Sequence, residues 1–228
     1  MKIVVGSGLH AGTLDKLRAA FPQVAFLPAA TPAEQAEAVR DADAYLGRIS
    51  RAAFLAAGPR LRWVHSGGAG IEELAAIPEL VASEVVVTNT RGGHAPTIAD
   101  HALGLLLALA RKLPALLADQ AEHVWKRPGV VQGMRSLTGM ALVIVGMGNI
   151  GREIAKRAVA FDMTVLGVDA RPGPSPAGVE AIWGLDRLDE ALGRADAAVI
   201  ATPLTPETRG LLDARRLGLL KSGAYLLV

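Results

Sequence analysis

Short apolar runs and longer amphipathic stretches alternate along most of the chain. In the N-terminal part the apolar runs fall at 2–5, 24–27, 44–46, 62–65 and 85–88, each of strand length. Between them, helical patterns lie at 12–20, 32–39 and 51–57. Thr31-Pro32-Ala33-Glu34 marks one helix start: Thr31 as the cap, Pro32 in the first turn, Glu34 at the third position. Strands alternating with helices predict an open parallel sheet. Residues 95–125 break the alternation and predict two long helices, with Pro96 near the first start and Lys112-Leu113-Pro114 at the join. A second alternation begins at Ala141. Its strands are predicted at 141–145, 164–168, 179–182, 197–201 and 224–228, with a proline-rich loop at 171–178. No fixed-period repeat or low-complexity tract interrupts the pattern. The chain therefore divides into an α/β domain at 1–95, a helical linker at 96–130 and a second α/β domain at 131–228.

Composition narrows the classes. Apolar residues make up 51% and charged residues 20%, which suits a globular protein with a substantial core. Lys and Arg number 24 against 22 Asp and Glu, scattered without a basic run. Aromatics are 4%. Neither feature supports nucleic-acid binding. The absence of cysteine removes disulfides, thiolate zinc sites and Cys nucleophiles together. The apolar stretch at the N-terminus is too short for a signal-peptide core. The longest apolar run, 102–110, is about half of a membrane span. A cytoplasmic protein with no membrane partner is expected.

The strongest chemical signal follows the strand at 141–145. That run leads directly into Gly146-Met147-Gly148-Asn149-Ile150-Gly151, and a helical pattern at 152–161 comes next. This is the dinucleotide motif in its strand–turn–helix setting. Gly146 permits the tight turn, Gly148 lets the backbone approach a pyrophosphate, and Gly151 lets the helix pack against the strand. The pyrophosphate then faces free N–H groups at the helix N-terminus. Asp169 closes the second strand, eighteen residues after Gly151. A carboxylate there accepts from ribose hydroxyls and repels a 2′-phosphate, which favours NAD. Arg171, two residues on, keeps NADP as an alternative.

Other features carry weaker chemistry. Gly6-Ser7-Gly8 follows a strand but lacks the third glycine, and reads as a plain turn. Ser66-Gly67-Gly68-Ala69-Gly70 is open to two readings, an anion-binding nest or a simple turn. His94 and His101 are seven apart with no third ligand, so no metal site is expected. Asp100 and His101 are adjacent and point apart on a helix. His65-Ser66 lacks the surroundings of a nucleophile elbow. Arg91 beside Gly92-Gly93 reads as an exposed loop residue.

Over nearly all its length the chain resembles the D-isomer-specific 2-hydroxyacid dehydrogenases. Trp63 to Ile71 resembles the family's substrate-carboxylate loop. Val87-Thr88-Asn89-Thr90 with Thr97-Ile98-Ala99-Asp100-His101 resembles its second interdomain crossing, where Glu is commoner than Asp100. Trp125 resembles the Trp that closes the helical arm. Leu137-Thr138-Gly139 and the stretch from Ala195 to Gly210 also match. The resemblance implies two doubly wound parallel-sheet domains, a flavodoxin-like N-terminal unit and a Rossmann NAD-binding unit, with a cleft between. It implies cofactor contacts at Thr90, Gly146, Gly148, Asn149, Ile150, Gly151, Asp169, Thr202 and Pro203. The N–H groups of Gly68 and Ala69 would hold the carboxylate of a 2-hydroxy or 2-oxo acid, and 95–125 would form a homodimer contact. The function implied is NAD-dependent hydride transfer between a D-2-hydroxy acid and a 2-oxo acid.

One part of the family pattern is missing. Family members continue past the last strand with a substrate-binding Arg, a Glu, and a His acting as general acid/base. None of the five histidines here sits in that motif. A truncated chain with an incomplete second domain is therefore expected, without a catalytic residue and with little or no turnover. The alternative is a non-catalytic NAD-binding or sensing module, or an inactive fragment.

Overall fold

In the computed structural model, which describes residues 1–6, 12–125 and 129–228, the chain divides into two units, Met1–Gly93 and His94–Val228. The first holds β1 (Lys2–Val5), β2 (Ala25–Pro28), β3 (Ala44–Leu46), β4 (Trp63–Ser66) and β5 (Val86–Asn89). All pair in parallel, in the order β2-β1-β3-β4-β5. That is the flavodoxin-like order. Successive residues point to opposite faces. The central strands β1 and β3 are covered on both and are apolar beyond Lys2, whereas β5 at the edge is largely exposed and carries Thr88 and Asn89. Val4, Tyr45 and Val64 pack on one face with Val39, Ala53 and Leu74. Ile3, Val5, Phe26 and Ala44 pack on the other.

The second unit holds β6 (Ala141–Val145), β7 (Thr164–Val168), β8 (Val179–Trp183), β9 (Ala197–Ile200) and β10 (Tyr225–Leu227). They are again parallel, ordered β10-β9-β6-β7-β8. Counted from β6, this is the 3-2-1-4-5 order of the dinucleotide fold, one strand short of the six-strand form. The expectation of two doubly wound sheets thus holds. Leu142 and Ile144 face helices Ala95–Ala110 and Asn149–Ala160. Val143 and Val145 face Leu188, Ala191 and Leu192 of helix Leu188–Arg194.

Several details differ from the sequence reading. The helix beginning the 95–125 segment is no separate arm: Ala99, Leu103, Leu106 and Ala110 are buried in the second unit's core. Its run at 102–110 is apolar nearly all round, as in a core helix. Helix Asn149–Ala160 starts inside the glycine motif rather than at 152, because Gly148 is its extended cap residue. Helices Glu72–Ala75, Pro78–Val81 and Ala214–Leu217 span about one turn, too short for periodicity to reveal. Of Gly6-Ser7-Gly8, Ser7 and Gly8 lie outside the described residues. No single helix among the described residues is long and apolar enough to cross a membrane.

Ion pairs tie the short helices down. Arg51 reaches Glu79 through Nε at 3.1 and 3.0 Å and again through Nη2, joining helices Arg51–Ala56 and Pro78–Val81. Asp189 accepts from Arg215 at 2.6 Å and Arg216 at 2.8 Å. The Arg51 guanidinium holds the Glu79 carboxyl at about 2, below its ordinary 4.5. Arg215, then Arg216, hold Asp189 at about 2, below 3.8. Both carboxyls ionise more readily in the folded chain. Their stabilisation is complete above about pH 4.5 and is lost as pH falls toward about 2. The pairs are exposed, so each contributes little. The urea midpoint is expected to fall across that window, and less steeply in Glu79→Gln. Identical acid slopes for the variant and the parent chain would count against this role for the pair.

Candidate functional site

Strand β6 ends where its two neighbours, β7 and β9, are crossed to in opposite directions, the switch point at which doubly wound sheets bind ligands. Gly146 makes the turn there with φ of 98°. A Cβ on Gly146 would lie 2.7 Å from the Ala201 carbonyl carbon and 2.9 Å from Thr202 N. A Cβ on Gly151 would collide with the Gly146 carbonyl oxygen. Both glycines are therefore required by packing within the chain. Gly148 is different, since a Cβ there would meet nothing within 4 Å. The chain itself leaves that space open.

The helix that follows is bare at its start. Thr31, Ser50 and Asp213 each cap a helix by accepting from a backbone N–H. Gly148 supplies no such cap to helix Asn149–Ala160, and the first turn holds no acidic residue. Its N–H groups and positive dipole end are left for an outside acceptor. This donor set, beside the open space at Gly148, fits a pyrophosphate.

Asp169 lies just past β7 and does more than the sequence suggested. Its Oδ2 accepts from Met147 N at 2.8 Å, and Oδ1 accepts from Arg171 N at 2.9 Å. The carboxylate thus anchors the glycine turn and its own loop. Each oxygen keeps a further lone pair for a ligand. Thr202 and Pro203 follow β9. Thr208 closes their loop, donating to the Pro203 carbonyl at 2.6 Å and accepting from Thr205 N at 2.8 Å. Gly146, Gly148, Asn149, Ile150, Gly151, Asp169, Thr202 and Pro203 thus gather at the ends of three adjacent strands.

Gly68, Ala69 and Thr90 lie in the first unit, at the ends of β4 and β5. Gly68 N donates to Ser66 Oγ at 3.4 Å, and the Asn89 amide donates to the Ala69 carbonyl at 2.6 Å. Thr90 N donates to the carbonyls of Ser66 and Gly68 at 3.1 and 3.2 Å. A small hollow beside this loop is lined by Gly68, Ala69, Gly70 and Arg48, together with the acidic Glu72 and Glu73. Arg48 was missed in the sequence. A cation just past the β3 end, after Gly47 with φ of 124°, was the available signal. Arg48 bonds Glu73 at 3.1 Å at the rim.

The histidines separate. His65 bridges Thr88 and Thr90. His101 lines an apolar hollow with Ile98, Ile150 and Leu227. His94 precedes helix Ala95–Ala110 without capping it. Asp100 pairs with Arg157. Among the described residues no three His, Cys, Asp or Glu side chains could hold a metal.

Residues 103–227 match the sequence profile of the D-isomer specific 2-hydroxyacid dehydrogenase NAD binding domain. The chain belongs to the D-isomer specific 2-hydroxyacid dehydrogenase family. The match takes in the glycine turn, Asp169, Thr202 and Pro203, and NAD is the cofactor of this domain. Among its 2-hydroxyacid dehydrogenase relatives, the D-3-phosphoglycerate dehydrogenase of Mycobacterium tuberculosis is 36% identical over 192 residues, covering 83% of this chain and 36% of that protein. The glyoxylate reductase of Pyrococcus furiosus is 35% identical over 199 residues, covering 83% of this chain and 58% of that protein. The crystal structure of a D-isomer specific 2-hydroxyacid dehydrogenase family protein from Aeromonas salmonicida superposes with a TM-score of 0.86. It is 30% identical, over 99% of this chain and 71% of that one. The chain spans about a third of the length of the first curated relatives it matches.

Proposed function

We propose that these residues form the cofactor- and acid-binding parts of an oxidoreductase that interconverts a D-2-hydroxy acid and a 2-oxo acid. One observation carries the reading. The middle glycine of the motif is not needed by the fold, yet it stands open beside an uncapped helix N-terminus and a fixed carboxylate. Asn149, Ile150 and Gly151 present backbone donors to the pyrophosphate. Asp169 receives the adenosine ribose hydroxyls, and Thr202 with Pro203 closes the other side. Gly68 and Ala69 direct N–H groups at the acid's carboxylate, with Arg48 as a nearby cation. Bound NAD carries the hydride, while the chain orients cofactor and acid. No histidine of the 228 residues is assigned the proton step.

The test is ligand-linked stability followed by turnover. At a hundred times its Kd, NADH is expected to stabilise the chain by about 2.7 kcal/mol. The 228-residue chain is expected to oxidise NADH with glyoxylate, hydroxypyruvate or pyruvate far below the ordinary enzymatic rate of about 10 per second. No thermal shift with NADH would overturn the cofactor assignment. Rapid turnover would overturn the absence of a proton donor.

The same reading includes a homodimer through residues 95–125. Support comes from exposed apolar side chains on both helices: Leu105, Leu109, Leu113, Leu117 and, at the end of the segment, Trp125. Leu117 is 63% exposed, so Leu117→Glu leaves the core untouched. Light scattering is expected to give twice the chain mass for the parent and the single mass for Leu117→Glu. A monomeric parent chain would remove this part of the proposal.

A further inference from the structure

Four side chains share one face where β4 and β5 pair, with His65 opposite Thr88. Trp63 Nε1 donates to Thr88 Oγ1 at 2.8 Å. His65 Nδ1 meets the same Thr88 oxygen at 2.8 Å, and His65 Nε2 meets Thr90 Oγ1 at 3.2 Å. The hydrogens of this chain can be followed from one end. An indole N–H only donates, so Thr88 Oγ1 accepts from Trp63. Thr88 has a single hydrogen of its own. If it goes to His65, Nδ1 is the imidazole's acceptor and Nε2 carries the proton. Nε2–H then donates to Thr90 Oγ1, and the Thr90 hydrogen is left to point outward. In the opposite arrangement Thr88 accepts twice and turns its hydrogen out of the group. Thr90 must then donate back to Nε2 and faces a ligand only as an acceptor. The first arrangement uses every hydrogen of the Trp63–Thr88–His65 run within the group.

The end of this chain is held against the acid-binding loop. Thr90 N is bonded to both the Ser66 and Gly68 carbonyls, and neighbouring Asn89 holds the Ala69 carbonyl. Thr90 therefore moves with Gly68 and Ala69 as one piece of the first unit. The resemblance implies a cofactor contact at Thr90, and its backbone bonds hold it next to the acid-binding loop.

We propose that His65 is a positioning residue, which fixes the Thr90 hydroxyl as a third donor, beside the Gly68 and Ala69 N–H groups, for the carboxylate of the bound acid. This rests on the reading of Ser66–Gly70 as an acid-binding loop. It adds a third fixed donor to the two backbone N–H groups, and each of the three favours an anionic oxygen over an amide N–H at the same place.

Two measurements test it separately. Long-range nitrogen–proton correlation spectra of the histidine-labelled full chain, recorded near pH 8 where a free imidazole is neutral, are expected to show His65 as the Nε2–H tautomer. His65→Gln identifies the signal, and Thr88→Val is expected to shift the tautomer balance. Calorimetric titration then uses oxalate as the acid probe. Thr90→Val is expected to weaken oxalate about tenfold, as for loss of a hydrogen bond to a charged group, while Thr90→Ser restores the affinity. NADH affinity is expected to fall less than oxalate affinity in Thr90→Val. An Nδ1–H tautomer, unaltered oxalate affinity in Thr90→Val, or a loss confined to NADH would each overturn the proposal. If the parent chain binds no oxalate while His65 is the Nε2–H tautomer, it is the acid-loop reading that fails, and the third-donor role falls with it.

Discussion

Gly148→Ala is expected to leave thermal unfolding unchanged and yet to weaken NADH binding by roughly ten- to a hundredfold, while Gly151→Ala damages both. The two substitutions add the same methyl group to the same turn. At Gly148 that methyl meets nothing of the chain within 4 Å. Its φ of −73° is also one that any residue adopts, so the fold gives up nothing. The methyl does occupy the space through which a pyrophosphate would reach the N–H groups of helix Asn149–Ala160. Losing one hydrogen bond to a charged oxygen costs about 1.5–3 kcal/mol, which sets the range. At Gly151 the methyl meets the Gly146 carbonyl oxygen, part of a turn already pressed against Ala201 and Thr202. Overpacking of this kind costs about 1–3 kcal/mol, and backbone cannot rotate away as a side chain can. Scanning calorimetry with and without NADH separates the cases. A Gly148→Ala chain that binds NADH as well as its parent would show that the open space serves something other than the cofactor.

The same glycines show where sequence was informative and where it was not. Strand β6 and its turn were legible because an unbroken apolar run meets three glycines at fixed spacing, a pattern set by local backbone demands. The helix start at Asn149 was not, because glycine is a poor helix former and the motif reads as loop. Strand limits drifted where edges tolerate exceptions. β2 runs on to Pro28, since an edge strand has one side free of partners and can hold a proline. The core role of helix Ala95–Ala110 lies in its apolar character, but its place between the two strand–helix alternations makes the same stretch resemble a linker. Long-range pairing left no local trace at all. The bridge from His65 to Thr88 and Thr90 exists only because β4 and β5 pair in one register. The hollow beside Arg48 likewise depends on β3 lying next to β4. A carboxylate at Asp169 was predicted for its reach toward a ribose, whereas its grip on Met147 N follows from the β6–β7 pairing.

That grip makes Asp169 the residue whose replacement tests fold and cofactor together. Asp169→Ala removes a charged acceptor from Met147 N and from Arg171 N at once. Hydrogen bonds to charged groups contribute about 1.5–3 kcal/mol each; the exposed Arg171 N–H recovers part of it through water, whereas Met147 is buried and recovers less. A net destabilisation of about 1–3 kcal/mol is expected, seen as a fall of several degrees in Tm. Asp169→Asn keeps one carbonyl acceptor and loses the charge, so it should fall between the parent and the alanine variant. NADH affinity is expected to drop by about tenfold or more in Asp169→Ala, because the ribose acceptor and the anchored turn go together. NADPH should lose less or gain, since the carboxylate that repels a 2′-phosphate is gone while Arg171 stays in the same loop. The ratio of NADH to NADPH affinity is therefore the sharper readout, because a purely structural role lowers both equally. An unchanged ratio would confine Asp169 to holding the turn. A ratio that shifts toward NADPH places the carboxylate against the ribose, with the Met147 bond keeping it there.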